Sequence, residues 1–445
     1  MRVLVLTVTT LAVIGSSMTA VRGQSPGSST PPPQIVLRAA QMLDVRTGEV
    51  TRNAVVLIDG QRVSAVGSEL AIPPGAQVID LGSATLLPGL IECHTHLMAR
   101  LRSNEPYYGQ LVTRSQAARA LEGAASAREM LEAGYTSVRD AGNEGSGYAD
   151  VALRDAINNG LVAGPRLLVS TRAIAAVGQY MPFGISPDLE DRLTGAQMIS
   201  GAEEGRRAVR EQVGYGADFI KIYADWQYPT LTVEEMRVIV EEAHKFHRKV
   251  AAHANTPEGI RNAVTAGVDA IEHGNRPDRE TLQTMKQQGT FLVLTVGMFI
   301  NALEAAQSED QRAAVEKGME FFRQTIALAR EAGVKIAGGL DAGTAGLHGQ
   351  SVHQLLALVK MGMTPLEALR TQTVDAADLL GWADRVGTLE PGKFADVIAV
   401  DGNPMVDIAA LERVRFVMKG GAVVKQLPAV GDSTPINNTH KKQVR

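Results

Sequence analysis

Eight short apolar segments, separated by stretches with helical periodicity, are the feature that most restricts how this chain can fold. The segments begin at Leu86, Thr136, Arg166, Asp218, Lys249, Ala270, Thr290 and Val334. Helices are predicted between them at residues 116–133, 201–215, 233–246 and 311–332. Strands that alternate with helices in this way form parallel sheets, and eight such units close a (β/α)8 barrel. We therefore predict an α/β fold built on a TIM-like barrel.

The predicted strands end in side chains that bind metals in many proteins. His94 and His96 lie two residues apart on the first strand, so they project from the same face and can hold one ion. An isolated pair of this kind is equally compatible with two strand-end histidines that bind no metal. Further candidates follow at later strand ends: Lys221, His253, His273 and Asp341. Because barrel active sites lie at the carboxyl ends of the strands, these residues form the predicted active site.

The segments on either side of the barrel have a different pattern, in which short Val/Ile runs are broken by turns. Residues 34–87 and 387–425 both show it, and it predicts strands and hairpins. Two half-sheets that flank one α/β stretch can close into a single small sandwich. We therefore predict a discontinuous β-sandwich domain from these two segments, with the barrel at residues 88–386.

The two ends of the chain predict export and segments outside the domains. Residues 1–23 combine Arg2 with an apolar run and small residues, which is typical of a secretory signal peptide. Residues 24–33 have the composition of a linker, and residues 426–445 lack periodicity, which predicts a flexible tail. The apolar run is too short to span a bilayer comfortably. We expect a secreted or periplasmic protein with no membrane association once the signal is removed.

Composition excludes one class of partner and one kind of cross-link. A net charge of −4, with 21% charged and 45% hydrophobic residues, describes a globular protein with a large core. No segment is basic enough to predict nucleic-acid binding. Cys93 is the single cysteine of the chain, so no intrachain disulfide can form even in an oxidising compartment. Stability is therefore expected from the core and from bound metal.

Five motifs, in order along the strands, resemble those of the amidohydrolase superfamily. They are HTH at 94–96, IKIYAD at 220–225, AAHAN at 251–255, IEHGN at 271–275 and LDAG at 340–343. Each motif alone is weak, whereas five in order at strand ends are specific. The resemblance runs from about Gln34 to Lys425. It is to the binuclear metal branch, which contains imidazolonepropionase-like proteins, Xaa-Pro and related dipeptidases, and ochratoxin-hydrolysing amidases.

The resemblance implies two divalent metal ions, with zinc favoured. His94 and His96 would hold the more buried ion and His253 and His273 the other. Lys221 would carry a carbamate derived from CO2, whose oxygens bridge the two ions. From the residues alone, a surface position or a salt bridge is open for this lysine. A lysine shifts its pKa readily when buried, however, and a neutral amine can take up CO2, whereas a cation among four histidines would repel metal.

The resemblance also implies a reaction. A metal-bridging hydroxide would hydrolyse the amide bond of a dipeptide or of an N-acyl or N-aroyl amino acid. Asp341, also among the implied metal ligands, would act as general base and then as general acid towards the leaving nitrogen. A helix cap or turn is the alternative role for this residue. The expected partner is a small-molecule substrate that has an amide bond and a free carboxylate.

Candidates for contacts with the substrate are Tyr223, Tyr180, Arg172 and His348. Tyr223 faces the same side of its strand as the bridging lysine, although a packing role is equally compatible. Around Tyr180 the chain reads Gly-Gln-Tyr, where many related dipeptidases have a GGH-like turn. This departure favours amides of apolar or aromatic amino acids. Arg172 could pair with a substrate carboxylate or form a structural ion pair, and His348 could lie just outside the metal ligands.

Other functions stay open at this point. They are a cyclic amidohydrolase or lactonase, a deaminase, and a catalytically inactive binding barrel. A mononuclear deaminase does not need a bridging lysine, so Lys221 argues against that function. An inactive barrel would be expected to have lost ligands, and this chain retains all six candidates. By analogy with the superfamily, we also expect a homo-oligomer.

Overall fold

The structure, a computed structural model, describes residues 34–102, 105–178, 194–343 and 346–428. The predicted signal peptide (1–23), the predicted linker (24–33) and Tyr180 lie outside the described residues. Most of the predicted tail (426–445) also lies outside them, although its first residue, Gln426, ends the last strand.

Strands and helices alternate through the middle of the chain, and strands predominate at both flanks. The strands are β1 (Ile35–Leu43), β2 (Val50–Asp59), β3 (Arg62–Gly67), β4 (Gln77–Asp80), β5 (Thr85–Pro88), β6 (Leu90–Thr95), β7 (Tyr135–Asp140), β8 (Arg166–Val169), β9 (Ala173–Ala176), β10 (Ala196–Ile199), β11 (Ile220–Tyr223), β12 (Val250–Ala254), β13 (Ala270–His273), β14 (Phe291–Leu294), β15 (Ile336–Gly338), β16 (Val397–Val400), β17 (Val414–Lys419) and β18 (Ala422–Gln426). The helices are α1 (Tyr107–Thr113), α2 (Gln116–Glu132), α3 (Ala149–Asn158), α4 (Ala202–Gly214), α5 (Val233–Lys245), α6 (Pro257–Ala266), α7 (Arg279–Gln288), α8 (Met298–Ala305), α9 (Glu309–Ala332), α10 (Val352–Lys360), α11 (Pro365–Thr371) and α12 (Val374–Leu380), with 3-10 turns at His348–Gln350 and Ile408–Arg413.

One eight-stranded sheet combines both flanks of the chain. Its order is β18-β17-β16-β5-β1-β2-β3, and β4 pairs with β1. Strand β5 joins the two flanks, because it pairs parallel with β1 and antiparallel with β16. Leu37 and Leu86 from the N-terminal flank share one apolar core with Phe416 from the C-terminal flank. The sheet is the second, discontinuous domain of the predicted fold, while the residue at which each domain begins and ends stays a prediction.

The middle of the chain forms the predicted TIM-like barrel. Strands β6-β7-β8 make one parallel run and β9-β11-β12-β13-β14-β15 make another. The two runs meet where the backbone N–H of Asp218 donates to the carbonyl of Val169 at 2.8 Å. On the other side, the N–H of Asp341 donates to the carbonyl of His94 at 2.8 Å, and Thr95 forms a parallel bridge with Ala342. These contacts close the ring of strands between the last strand and the first.

The third predicted strand is interrupted in the structure. It divides into β8 and β9, and Thr171 between them has a left-handed φ of 62°. Its N–H donates to Asp150 at 2.8 Å and its hydroxyl donates to Gln212 at 2.8 Å. These bonds to two helices stabilise a break that the continuous apolar pattern did not predict. The short strand β10, which pairs with β9, was also missed.

The predicted helices lie within a few residues of their observed bounds. Helix α5 begins after Thr232, whose side chain forms a capping box with Glu235. Helix α9 begins earlier than predicted because the Ser308 side chain accepts a hydrogen bond from the backbone of Gln311 and caps the helix. Within the described part of the chain, no helix combines the length and the apolar character needed to cross a membrane.

Candidate metal centre

Alternation along the strands brings the candidate ligands to the inside of the barrel. On β11, Ile220 and Ile222 belong to the core that also contains helix side chains, so Lys221 projects from the opposite face. On β12, Ala252 and Ala254 belong to the same core. His253 lies between them and therefore also points inward.

Two of the candidate ligands have unusual backbone conformations. His273 is the last residue of β13 and has φ 69°, and Asp341 follows β15 with φ 61°. The left-handed region is costly for residues with a Cβ atom, and such residues are found where the surrounding structure holds them in place. Here the two residues are neighbours, since His273 Nδ1 lies 3.9 Å from Asp341 Oδ2.

Asp341 lies at the centre of the cluster. Its Oδ1 is 3.2 Å from His96 Nε2 and 3.6 Å from His94 Nε2. Ligand atoms of His94, His273 and Asp341 all lie within 4.8 Å of one another, so these three residues could hold a metal ion. The ring centre of His253 is 4.6 Å from that of His273. The six residues predicted from sequence line one cavity of about 470 Å³: His94, His96, Lys221, His253, His273 and Asp341.

In three of the four histidines, Nδ1 is held by a neighbouring side chain. The pairs are His94 Nδ1 with Glu272 Oε2 (2.6 Å), His96 Nδ1 with Glu144 Oε1 (3.1 Å) and His273 Nδ1 with Thr295 Oγ1 (2.7 Å). Metal-binding histidines usually use one ring nitrogen for the metal and the other for such a partner, which fixes the ring. In each of these residues, Nε2 is therefore the atom that can coordinate a metal.

His253 has the opposite arrangement. Its Nε2 lies 3.0 Å from the side-chain amide of Asn255, which leaves Nδ1 as the coordinating atom. With a metal on Nδ1, Nε2 carries the proton and the amide of Asn255 presents its oxygen, since the two ends of an amide have the same shape. The donor set of the four histidines thus fits divalent metal ions.

Burial keeps three of these imidazoles neutral, as metal ligands must be. Desolvation lowers the pKa of His94 and of His253 well below the usual range. It also lowers the pKa of His273 to about 4, although Asp341 acts in the opposite direction. At neutral pH, these rings offer lone pairs rather than positive charge.

Lys221 is a buried amine, with only 1% of its surface exposed. Burial lowers its pKa to about 8, while Glu272 and Asp341 partly oppose that change. About a tenth of the amine is therefore neutral at pH 7, far more than for an ordinary lysine. A neutral amine is the form that can react with CO2, so the residue fits the carbamate that the family resemblance implies.

His96 and Asp341 form an oppositely charged pair, so His96 must lose a proton before its Nε2 can bind a metal. Burial alone would lower the pKa of His96, but Glu144 and Asp341 raise it well above its usual range. Burial would also raise the pKa of Asp341, but His94, His96 and His273 hold it well below the usual range. Asp341 is therefore an ionised carboxylate that faces the cavity.

Sequence reasoning missed several residues that hold these side chains. Glu272 contacts His94 and also accepts a hydrogen bond from Arg139 at 2.6 Å. It lies inside the IEHGN motif, which offered a signal. Glu144, beside His96, lies in no recognised motif and has a left-handed φ of 51°. Nothing in the sequence around it indicated that contact.

Aromatic and apolar side chains form the outer wall of the cavity. Tyr223 and Trp226 stack with ring centres 4.9 Å apart, and the Trp226 ring lies 4.6 Å from that of His253. Phe299 and Phe322 form a second pair, 5.5 Å apart. Tyr107, Leu101 and Met298 complete this wall. The cavity therefore joins a polar floor to an apolar mouth.

The other predicted substrate residues have different surroundings. Arg172 donates to the carbonyl of Ala196 at 2.9 Å and does not line the described cavity. His348 is buried, and its Nε2 lies 3.2 Å from the carbonyl oxygen of His96. These contacts suit support of the loops around the site. Tyr223 is the one of the four described on the cavity wall, and Tyr180 lies outside the described residues.

Comparison with known protein families shows the family to which the chain belongs. The profile described as "Amidohydrolase family" matches residues 85–424, which contain the barrel and all six candidate ligands. The chain belongs to the amidohydrolase family. This confirms the resemblance predicted from the motifs, and with it the barrel and second domain.

The relatives of this amidohydrolase include enzymes that act on amides. Ochratoxinase from Aspergillus niger is 31% identical over 442 residues, covering 91% of this chain and 89% of that protein. The crystal structure of a prolidase complexed with N-methylphosphonate-L-proline has a TM-score of 0.77 at 32% identity, covering 88% of this chain and 100% of the other. That of a Xaa-Pro dipeptidase with bound methionine in the active site has a TM-score of 0.78 at 31% identity, with the same coverage. Together with the family, they support a hydrolase that cleaves amide bonds.

Proposed function

We propose that this amidohydrolase uses two divalent metal ions, with zinc favoured, to cleave a dipeptide or an N-acyl or N-aroyl amino acid. One observation carries the proposal. Four histidines, each with one ring nitrogen held by a neighbour, meet Lys221 and Asp341 in a single cavity. The ochratoxinase and prolidase relatives favour amide bonds of amino acids as the substrate class.

The histidines and Lys221 would hold the metal ions. The ligands would be His94, His96, His253, His273, a carbamate on Lys221 and Asp341. The ions would supply an activated water and polarise the substrate carbonyl. The protein fixes the imidazole rings through Glu272, Glu144, Thr295 and Asn255, so little reorganisation is needed when metal binds.

Asp341 would act as the general base and then as the general acid of the reaction. Its carboxylate is ionised before reaction because three histidines surround it. It can therefore accept a proton from the attacking water at a carboxylate oxygen as the C–O bond to the substrate carbonyl carbon forms. It would then deliver that proton to the leaving nitrogen, so that the free amine departs.

The apolar mouth would bind an aromatic or large apolar group of the substrate. Tyr223, Trp226, Phe299 and Phe322 give this wall two pairs of rings. Among the described residues that line the cavity, there is no arginine. We therefore propose that ring contacts contribute more to affinity than an arginine–carboxylate pair, although the substrate is still expected to carry a free carboxylate.

The direct test is detection by mass spectrometry of free amino acid released from a mixed panel. The panel contains dipeptides and N-acyl and N-aroyl amino acids, with lactams and lactones as cyclic controls, each with zinc and with chelator. We expect chelator-sensitive release from the linear amides, fastest where an aromatic group is present. Opening of the cyclic compounds alone would contradict the proposed substrate class.

A variant identifies the role of Asp341 in the same assay. Asp341→Asn keeps the shape of the side chain but cannot accept the proton, so we expect kcat to fall by about a hundredfold or more. Bound metal should stay close to the wild-type amount, because the histidines and Lys221 remain. A kcat near that of the wild type would remove Asp341 from the mechanism.

A further inference from the structure

A second large cavity lies at the opposite end of the barrel from the metal centre. Its volume is about 630 Å³. Phe219 and Lys249 line it and immediately precede β11 and β12, whose later residues include the metal-centre side chains. Because the strands are parallel, their amino ends share one face of the barrel. Trp382, Arg385 and Phe394 cover this cavity from the segment that follows α12.

The lining of this basal cavity is strongly basic. It includes the side chains of Arg139, Arg154, Arg166, Arg248, Lys249 and Arg385. Asp218 is the single carboxylate among the described residues that line it. The whole chain has a net charge of −4. Positive charge is therefore concentrated at this cavity, although the chain as a whole is negative.

Three of the arginines are already paired with carboxylates. Their partners are Asp218 for Arg154 at 2.8 Å, Asp396 for Arg166 at 3.0 Å and Glu272 for Arg139 at 2.6 Å. These pairs fix the walls of the basal cavity. They also neutralise only part of its positive charge.

Among the described residues, no buried carboxylate pairs with Arg248, Lys249 or Arg385. Lys249 donates to the backbone carbonyl of Leu379 at 2.7 Å, which is a neutral acceptor. The Nε of Arg248 is buried and has no hydrogen-bond partner among the described residues. Arg385 pairs at 3.3 Å with Asp384, whose side chain is 75% exposed. The positive charge of these three side chains is therefore available to an anionic ligand in the basal cavity.

Flat apolar groups lie beside these charges. The guanidinium carbon of Arg385 is 5.6 Å from the ring centre of Trp382, and that of Arg166 is 3.6 Å from the ring centre of Phe394. Leu380 and Val386 add apolar surface to the same cavity. A ligand with both an anionic group and an apolar body would match both kinds of surface.

The geometry points to a binding site in the basal cavity for a small organic anion, a carboxylate or a phosphate ester with a flat apolar body. Arg248, Lys249 and Arg385 hold the anionic group. The ring of Trp382 and its apolar neighbours hold the body. This site is separate from the metal centre and does not depend on the proposed reaction.

Calorimetric titration of the zinc-loaded, full-length protein tests the site with three probes: phenyl phosphate, benzoate and inorganic phosphate. We expect an aromatic anion to bind several times more tightly than inorganic phosphate, because only the former uses the apolar surface. Comparison of the affinities of phenyl phosphate and benzoate shows whether the site prefers a phosphate or a carboxylate. Arg139 is left unchanged because it contacts Glu272, which orients a candidate metal ligand.

The double variant Arg248→Ala/Arg385→Ala should weaken binding of the preferred aromatic probe by about tenfold or more, with kcat on an amide substrate unchanged. The matched control is Arg237→Ala, an exposed arginine on α5, which should bind the probe as the wild type does. A probe that binds at the metal ions instead would bind the double variant as tightly as the wild type, so equal affinities would overturn the proposal. No binding of any probe to the wild type would also overturn it. If the double variant does not fold, Arg385→Ala alone replaces it, since that side chain is 47% exposed.

Discussion

Glu272 is a single residue that connects the metal centre with the interior of the barrel. Its Oε1 accepts a hydrogen bond from Arg139 and its Oε2 contacts Nδ1 of His94, both at 2.6 Å. The side chain is fully buried, so water cannot replace either contact. The orientation of His94 and the tautomer that leaves Nε2 for a metal therefore depend on this carboxylate.

Replacing Glu272 by Gln should weaken metal binding while the other candidate ligands stay in place. We expect the zinc affinity to fall by about 10- to 100-fold, since partners of ligating histidines typically contribute that much. Competition with a calibrated chelator measures it. Glu316→Gln on α9, an exposed site, is the control with the same chemical change. Equal zinc affinity in Glu272→Gln and wild type would contradict the role assigned to Glu272.

The buried carboxyl group of Glu92 should make the stability of the protein depend on pH. Burial raises its pKa to about 8, and the backbone N–H groups of His94 and Leu340 only partly oppose that rise. The unfolded chain loses this proton near the ordinary value of 4.5, whereas the folded protein keeps it until about pH 8. The stabilisation is complete below the lower value and is lost as the pH rises through the higher one.

Glu92→Gln isolates that contribution, because glutamine accepts the same backbone hydrogen bonds and does not titrate. The free energy of unfolding of the wild type minus that of the variant should decrease as the pH rises from about 4.5 to about 8. Urea denaturation at a series of pH values measures the difference. A difference that stays constant across this range would show that Glu92 keeps an ordinary pKa in the folded protein.

At the scale of elements, β15 must approach β6 very closely to close the barrel. A Cβ atom on Gly339, just after β15, would lie 2.4 Å from Glu92 Oε1 and 2.5 Å from the backbone nitrogen of His94. Both contacts are shorter than van der Waals packing allows. The glycine is therefore required by the join that brings Asp341 next to His94.

Gly339→Ala should separate the two strands and destabilise the protein by about 1–3 kcal/mol, the usual range for overpacking. Metal content should fall with it, because His94 and Asp341 lie on opposite sides of the join. Gly343→Ala is the matched control, since among the described residues its Cβ would meet only Ala99, at 3.7 Å. Thermal unfolding and metal analysis compare the two variants. Equal stability and equal metal content would contradict this account of barrel closure.

The elements also show why some of the site could be predicted from sequence and some could not. The six candidate ligands follow from local properties, namely strand alternation, which Lys221 illustrates on β11, and position at a strand end, which His273 illustrates on β13. The contact of Glu144 with His96 depends instead on a left-handed turn after β7. The break at Thr171 depends on bonds to α3 and α4. Contacts between distant segments leave no periodic signal in the chain.

At the scale of the whole molecule, the sequence predicted the barrel and its second domain because each depends on a repeated pattern. The flanking strands share one type of pattern and one sheet, which made their association predictable. Export and assembly into a homo-oligomer stay predictions. Residues 1–33 lie outside the described residues, and the intact mass of the exported protein would test removal of residues 1–23.

The proposed centre of two metal ions, with Lys221 as a shared ligand, can be tested by metal analysis. The protein is reconstituted with excess zinc and bicarbonate, freed of unbound metal, and measured by elemental analysis alongside Lys221→Ala. We expect about two ions per chain in the wild type and a collapse of that number in the variant, because the bridging group is lost. A wild-type count near one, or a variant that keeps the wild-type count, would contradict a two-metal centre that depends on Lys221.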